Sequence, residues 1–188
     1  MSFLISKEKL IVIQPFGRGV QHVDNSFIDN TGRSIEYKDF KALIKKLQEQ
    51  DFAVISMAEM GFDFSKDKLP FDVAMPEQVS LRHWTAAIKF ANHFIGCDSV
   101  GQHLAYIMDT PSTVICGPTF PVNISYPECE YFNIVDLGMK DRVYDPIRIM
   151  PDETTSRHNE NLMQMNDDIV DYVVDRVLGK PIPEDNDE

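Results

Sequence analysis

The stretch HFIGCDSVGQHLAYIMDTPSTVICGPTFP, residues 93–121, decides how the rest of the chain is read. It opens on a short apolar run, HFIGC (93–97), which ends at Asp98-Ser99. Ser is a favoured first residue of a helix, because its hydroxyl accepts a hydrogen bond from a backbone N–H that has no partner inside the helix. The pattern predicts a helix from Ser99 to Ile107, then a second apolar run, STVICG (112–117), and a turn at Gly117-Pro118-Thr119. Strand, helix and strand in such close succession make a βαβ unit, whose two strands lie parallel in one sheet.

Working outward, the same alternation continues. LIVIQ (10–14) is an apolar strand ended by Pro15 and Gly17. Residues 15–34 are rich in Gly, Asn and Asp, lack periodicity and are expected to form a long loop. From Glu36 to Gln48 the apolar residues Phe40, Leu43, Ile44 and Leu47 recur at helical spacing, with lysines on the other side. FAVISM (52–57) is a second strand, DFSKDKL (63–69) a loop and FDVAM (71–75) a weak third strand. SLRHWTAAIKFAN (80–92) is an amphipathic helix with Leu81, Trp84, Ile88 and Ala91 on its stripe and Trp84 in the core. FNIVDL (132–137) is a further strand. After a polar linker with Pro146 and Pro151, a helix at about 160–178 carries Leu162, Ile169, Val170, Val173, Val174 and Val177 on one face. The strands are continuous apolar runs, as expected of a parallel sheet covered on both faces.

The expected architecture is therefore α/β: one three-layer domain with a mostly parallel sheet over 1–150, a linker and C-terminal helix at 151–180 packing on the domain or a partner, and a disordered acidic tail at 181–188. With 188 residues and 43% hydrophobic content, the chain can bury one core. Its formal charge of −12, from 30 acids against 18 bases, argues against broad binding to a nucleic-acid backbone. No apolar run approaches the ~18 residues of a membrane span. The start, MSFLISKEKL, lacks the apolar core and cleavage site of a signal peptide. Cys97, Cys116 and Cys129 are odd in number without CxxC spacing, so they read as small buried apolar residues in a reducing cytoplasm rather than as metal ligands.

In open parallel sheets, ligands bind beyond the carboxyl ends of the strands. The residues that follow the strands are the candidates: Gly17 and Arg18 after the first; Glu59 after the second; Asp98, Ser99, Val100, Gly101 and His103 after HFIGC; Gly117 and Thr119 after STVIC. The helix start at Ser99 is a natural anion site, where backbone N–H groups and the helix dipole meet. Gly101 and Gly117 allow close backbone approach, His103 and Thr119 offer polar contacts, and Arg18 or Arg33 supplies the positive charge that a pyrophosphate requires. Each also has a plain structural alternative. Asp98 and Ser99 can be a helix cap only, His103 a hydrogen-bonded core histidine, Arg18 and Arg33 solvated loop residues, and Glu59 a surface acid.

At these residues the chain resembles a known family. FIGCDSVGQHLAYIMDTPSTVICGPTFP is similar to the second half of the heptosyltransferases, family 9 of the glycosyltransferases, in Asp98, Ser99, His103, Ala105, Pro111, Gly117, Pro118, Thr119 and Pro121. IVIQPFGRG resembles the strand and turn that open the family's C-terminal domain, and Arg33 stands where the family has a phosphate-binding Lys. The resemblance implies a Rossmann-like half of a two-domain GT-B fold. It also implies that Asp98 binds the donor's sugar, that Ser99 and nearby N–H groups hold the pyrophosphate beside His103, that Arg33 replaces the Lys and that Glu59 meets the ribose. Three departures stand out: Val100 takes the place of the family's glycine, with Gly101 one position later; Arg33-Ser34-Ile35-Glu36 replaces Lys-x-Trp-Pro; and the 17–33 segment is long. The implied donor is thus a nucleotide sugar as a class rather than ADP-heptose in particular.

The expectation is a glycosyltransferase of hexosyl or heptosyl type, without cofactor or metal, that binds a nucleotide-diphosphate sugar. The family's catalytic base lies on the first domain, so an N-terminal-half partner chain or a homo-oligomer is expected to complete it, with the 160–178 helix as one candidate contact. Two alternatives remain open on sequence: a non-catalytic nucleotide- or sugar-binding regulatory or scaffold module, and a nucleotide-sugar epimerase.

Overall fold

Five of the apolar runs pair as parallel strands in the computed structural model, which describes residues 9–17, 20–23, 26–29, 31–58, 79–143 and 161–180. They are β1 (Leu10–Gln14), β4 (Ala53–Ser56), β5 (His93–Cys97), β6 (Ser112–Cys116) and β7 (Phe132–Asp136), in the spatial order β4-β1-β5-β6-β7. The central strands β1, β5 and β6 are buried at every position, whereas the edge strands β4 and β7 are only partly covered. That difference explains why the central runs are continuously apolar: both faces of each strand are roofed by helices.

The helices are α1 (Tyr37–Glu49), α2 (Leu81–Phe90), α3 (Val100–Ile107), the single-turn α4 (Pro121–Ile124) and α5 (Asp167–Val177). Side chains alternate across each strand. Ile11, Ile13, Ile95, Cys97, Ile115 and Val135 meet Phe40, Leu43, Ile44 and Leu47 of α1 and Val170, Val173 and Val174 of α5 on one face. Val12, Phe94, Val114 and Cys116 meet Trp84, Ile88 and Ala105 of α2 and α3 on the other. The result is a three-layer α/β/α domain.

Three expectations are corrected. First, the 15–34 segment is not wholly loop: β2 (Val20–Val23) and β3 (Ser26–Asp29) pair as an antiparallel hairpin outside the main sheet. Second, Leu81 is 53% exposed, because it is the first residue of α2 and lies beyond the stripe that Trp84 and Ile88 press onto the sheet. Third, the C-terminal helix starts at Asp167, where the Asn166 side chain accepts a hydrogen bond from the Ile169 N–H; residues 161–163 are a turn. The apolar face of this helix packs against the domain's own α1. The expected strand at 71–75, the loop at 63–69, the linker prolines and the acidic tail lie outside the described residues. No helix among the described residues is long and apolar enough to cross a membrane.

Candidate functional site

Taken in chain order as first to fifth, the parallel strands lie 2-1-3-4-5, so the order reverses between β1 and β5. The chain leaves these two strands toward opposite faces, to α1 and to α3, and in sheets of this kind ligands bind beyond the carboxyl ends at such a point. Gln14, the last residue of β1, is in register with Gly96 of β5. Cys97, Asp98 and Ser99 then lead into α3.

Two oppositely charged groups meet at this point. Arg33 Nη1 is 3.3 Å from Asp98 Oδ2. The Asp98 side chain is 9% exposed and that of Arg33 29%, so the carboxylate is held inside while the guanidinium still reaches water. Gln102 Nε2 also donates to Asp98 Oδ1, at 3.4 Å. Arg33 is delivered by a tight loop organised on Asp29. That carboxylate accepts from the Thr31 N–H and hydroxyl at 2.8 and 2.6 Å, from the Arg33 N–H at 3.2 Å and from the Ser34 N–H and hydroxyl at 2.9 and 2.6 Å. Burial alone pushes the Asp29 pKa upward, but the hydrogen bonds from Ser34 and Thr31 outweigh it and hold the group below the ordinary carboxylate value. Ser34 Oγ in turn accepts from the Gly17 N–H at 3.1 Å, tying the loop to the end of β1.

Ser99 occupies the N-cap position of α3, yet its hydroxyl makes no capping bond. Gln14 caps the helix from the neighbouring strand: its Oε1 accepts from the Gly101 N–H at 2.7 Å, and its Nε2 donates to Ser99 Oγ at 3.0 Å. Gly101 is what admits it. A Cβ at 101 would lie 2.4 Å from Gln14 Oε1 and 2.6 Å from the Phe94 ring. The space expected for a ligand at Gly101 is therefore filled from within, while Ser99 remains half-buried and Val100 exposed at the helix start.

The other candidates spread along the same edge. His103 lies one turn into α3, half-buried, with Nδ1 2.9 Å from the Tyr126 hydroxyl. Burial raises the Tyr126 pKa, with Tyr106 and Glu128 adding to it, so the phenol keeps its proton. Gly117 packs beneath Met163, whose Sδ would be 2.8 Å from a Cβ there, and its carbonyl accepts from Arg142 Nε at 2.7 Å. Thr119 is buried, and its hydroxyl has no partner among the described residues. Gly17 has no described atom within 4 Å of where a Cβ would stand. Arg18 and Glu59 lie outside the described residues. Of the cysteines, Cys97 and Cys116 are buried as expected and Cys129 is only partly so. Burial, with Asp98 nearby, pushes both buried thiols up, Cys116 to about 12, so neither is a nucleophile.

The structure thus unites Arg33, Asp98, Ser99 and Gly17 at the switch point; His103 and Gly117 lie farther along the edge with internal partners of their own, and Thr119 is buried there with no partner for its hydroxyl among the described residues. Chemically, the first group offers a half-exposed cation, a hydroxyl and the positive end of α3, which suits an anionic ligand. Sequence reasoning missed Gln14, Asp29, Tyr126 and Arg142. Only Asp29 left a signal, since Asp followed by Thr, Gly and Ser is turn chemistry in which the carboxylate bonds to the backbone just ahead.

These features define a doubly wound, Rossmann-like α/β domain equivalent to one half of the GT-B architecture. No protein-family model matches the sequence, and no curated protein matches it. Solved structures do. A glycosyl transferase of family 9 from Veillonella parvula superposes with a TM-score of 0.62 at 12% identity, over 93% of this chain and 47% of its own. ADP-heptose LPS heptosyltransferase II from E. coli gives 0.59 at 10% identity, over 93% and 48%. TibC, an iron-containing dodecameric glycosyltransferase from enterotoxigenic E. coli, gives 0.55 at 16%, over 92% and 47%. The chain spans about half the length of the solved structures it matches.

Proposed function

We propose that this domain binds a nucleoside diphosphate sugar and serves as the donor half of a glycosyltransferase. The observation that carries the reading is the Arg33–Asp98 pair beside Ser99, at the switch point of a fold shared with such enzymes. One of those neighbours, TibC, has been captured with ADP-D-β-D-heptose. In this reading Arg33 leaves Asp98 on ligand arrival and turns to the pyrophosphate, with Ser99 donating to a phosphate oxygen and Asp98 freed to accept from a sugar hydroxyl. The positive groups then stabilise the departing nucleoside diphosphate, as positioned charge does wherever negative charge develops in a transition state. The reading assigns the acceptor and the general base to the other half of the fold. The non-catalytic module binds the same ligand but yields no transfer when that half is added.

Calorimetric titration with ADP-, UDP- and GDP-sugars tests the reading. Binding of at least one, weakened by Arg33→Ala, supports it. Absence of heat with every one overturns it.

A further inference from the structure

The contact between Gln14 and the start of α3 has a polarity that the bonding chemistry fixes. The Gly101 N–H can only donate, so the atom 2.7 Å from it must be the Gln14 amide oxygen. The amide nitrogen therefore faces Ser99 Oγ, and it too can only donate. Ser99 must accept with a lone pair, and its own proton must point elsewhere. Among the described residues nothing accepts that proton, and Ser99 is half-buried at the switch point. A serine at this position ordinarily spends its oxygen on capping the helix. Here Gln14 has taken over the cap, through the gap left by the missing Cβ of Gly101. Gly101, two positions after Ser99, is the local residue that this exchange requires.

We propose that Gln14 is a positioning residue for anion binding: it caps α3 in place of Ser99 and turns the Ser99 hydroxyl outward as a donor to a phosphate oxygen. The inference rests on the donor-binding reading above and adds a residue, 87 positions from Gly101 in the chain, that acts on the ligand only through Ser99. Gln14 is 7% exposed, and its amide is engaged with Ser99 and Gly101.

A double-mutant cycle tests it, with inorganic pyrophosphate, ADP, UDP and GDP as probes of the full chain and the fold checked by thermal melting. Gln14→Met keeps the length and volume of the side chain while losing both hydrogen bonds. It is expected to weaken binding of pyrophosphate and of whichever diphosphate binds by about tenfold, the scale of one hydrogen bond to a charged group. Ser99→Ala is expected to weaken it as much, Ser99→Thr to retain it, and Gln14→Met on the Ser99→Ala background to cost nothing more. Additive losses, unchanged binding, or tighter binding because the Gly101 N–H has been released would each overturn the role of Gln14 while leaving the donor-binding reading in place. If the wild type binds none of the probes, both fail. Should Gln14→Met not fold, Gln14→Glu keeps an acceptor for Gly101 but offers Ser99 no donor, and undiminished pyrophosphate binding by that variant likewise overturns the proposal.

Discussion

Arg33 and Asp98 are 65 residues apart in the chain and joined by a 3.3 Å ion pair, which closes the loop after the β2–β3 hairpin onto the end of β5. The pair is asymmetric, because the carboxylate is the more deeply buried member. Removing the cation strands a buried charge, whereas removing the carboxylate leaves a cation that water can solvate.

Arg33→Met is therefore expected to destabilise the domain by about 1–3 kcal/mol, the cost of leaving a buried acceptor without its charged donor. Asp98→Asn should cost less, and the double variant should be more stable than the sum of the two. Urea denaturation of all four proteins measures this. Additive effects would mean that the two groups do not interact in solution.

How much of this site the sequence displayed depends on distance along the chain. Asp98, Ser99 and the helix they open lie within one short segment, and local pattern was enough to find them. Phe40, Leu43, Ile44 and Leu47 were equally plain, since their spacing and their burial are one property. Gln14 was hidden, because a polar residue closing an apolar run looks like any strand end and its partners lie more than eighty positions away. The β2–β3 hairpin was hidden for another reason: two four-residue strands are too short for alternation to stand out among Gly, Asn and Asp. Leu81 fitted the apolar stripe of α2 by spacing, but spacing does not show where the sheet beneath the helix ends.

The Asp29 loop gives a second test. Asn at this position keeps one acceptor oxygen and sets an NH2 against N–H groups that also donate, so Asp29→Asn is expected to cost about 1–3 kcal/mol. The native carboxylate has a lowered folded pKa, so its contribution is present above the unfolded value of 3.8 and is lost as pH falls through the folded one. Acid unfolding of Asp29→Asn should lack that portion of the decline below pH 3.8. Arg33 is positioned by this loop, so pyrophosphate affinity should fall as well. Unchanged affinity would show that Arg33 finds its place without Asp29.

Two glycines are expected to be intolerant for reasons of space. Gly101→Ala gains helix propensity of about 1 kcal/mol. It also drives a methyl against Gln14 and the Phe94 ring, and overpacking of this kind costs about 1–3 kcal/mol, so the net effect is destabilising. Gly138→Ala should be worse, because the added Cβ would stand 2.1 Å from the Gly117 carbonyl oxygen, which is backbone held by Arg142 and cannot rotate away. Thermal melts of the two variants should rank them in that order. A Gly138→Ala protein as stable as the wild type would disprove the close approach of the turn after β7 to the turn after β6.

His93 supplies the clearest pH dependence. It begins β5, at the opposite end of that strand from Asp98, is 5% exposed and pairs through Nε2 with Thr113 Oγ1 at 2.9 Å. Burial lowers its pKa from 6.5 to about 4. The unfolded chain takes up a proton as pH drops through 6.5, while the folded one does not until about 4. The unfolded state therefore binds more protons throughout that interval, and stability must fall as pH falls across it, then level off with respect to this group. The shift corresponds to roughly 3 kcal/mol over the whole window. His93→Gln offers Thr113 an amide in place of the ring and cannot titrate. Its stability, measured by urea denaturation between pH 7 and pH 4, should lack this component. Parallel curves for variant and wild type would mean that His93 is protonated in the folded protein and that its burial at the base of the sheet is relieved in solution.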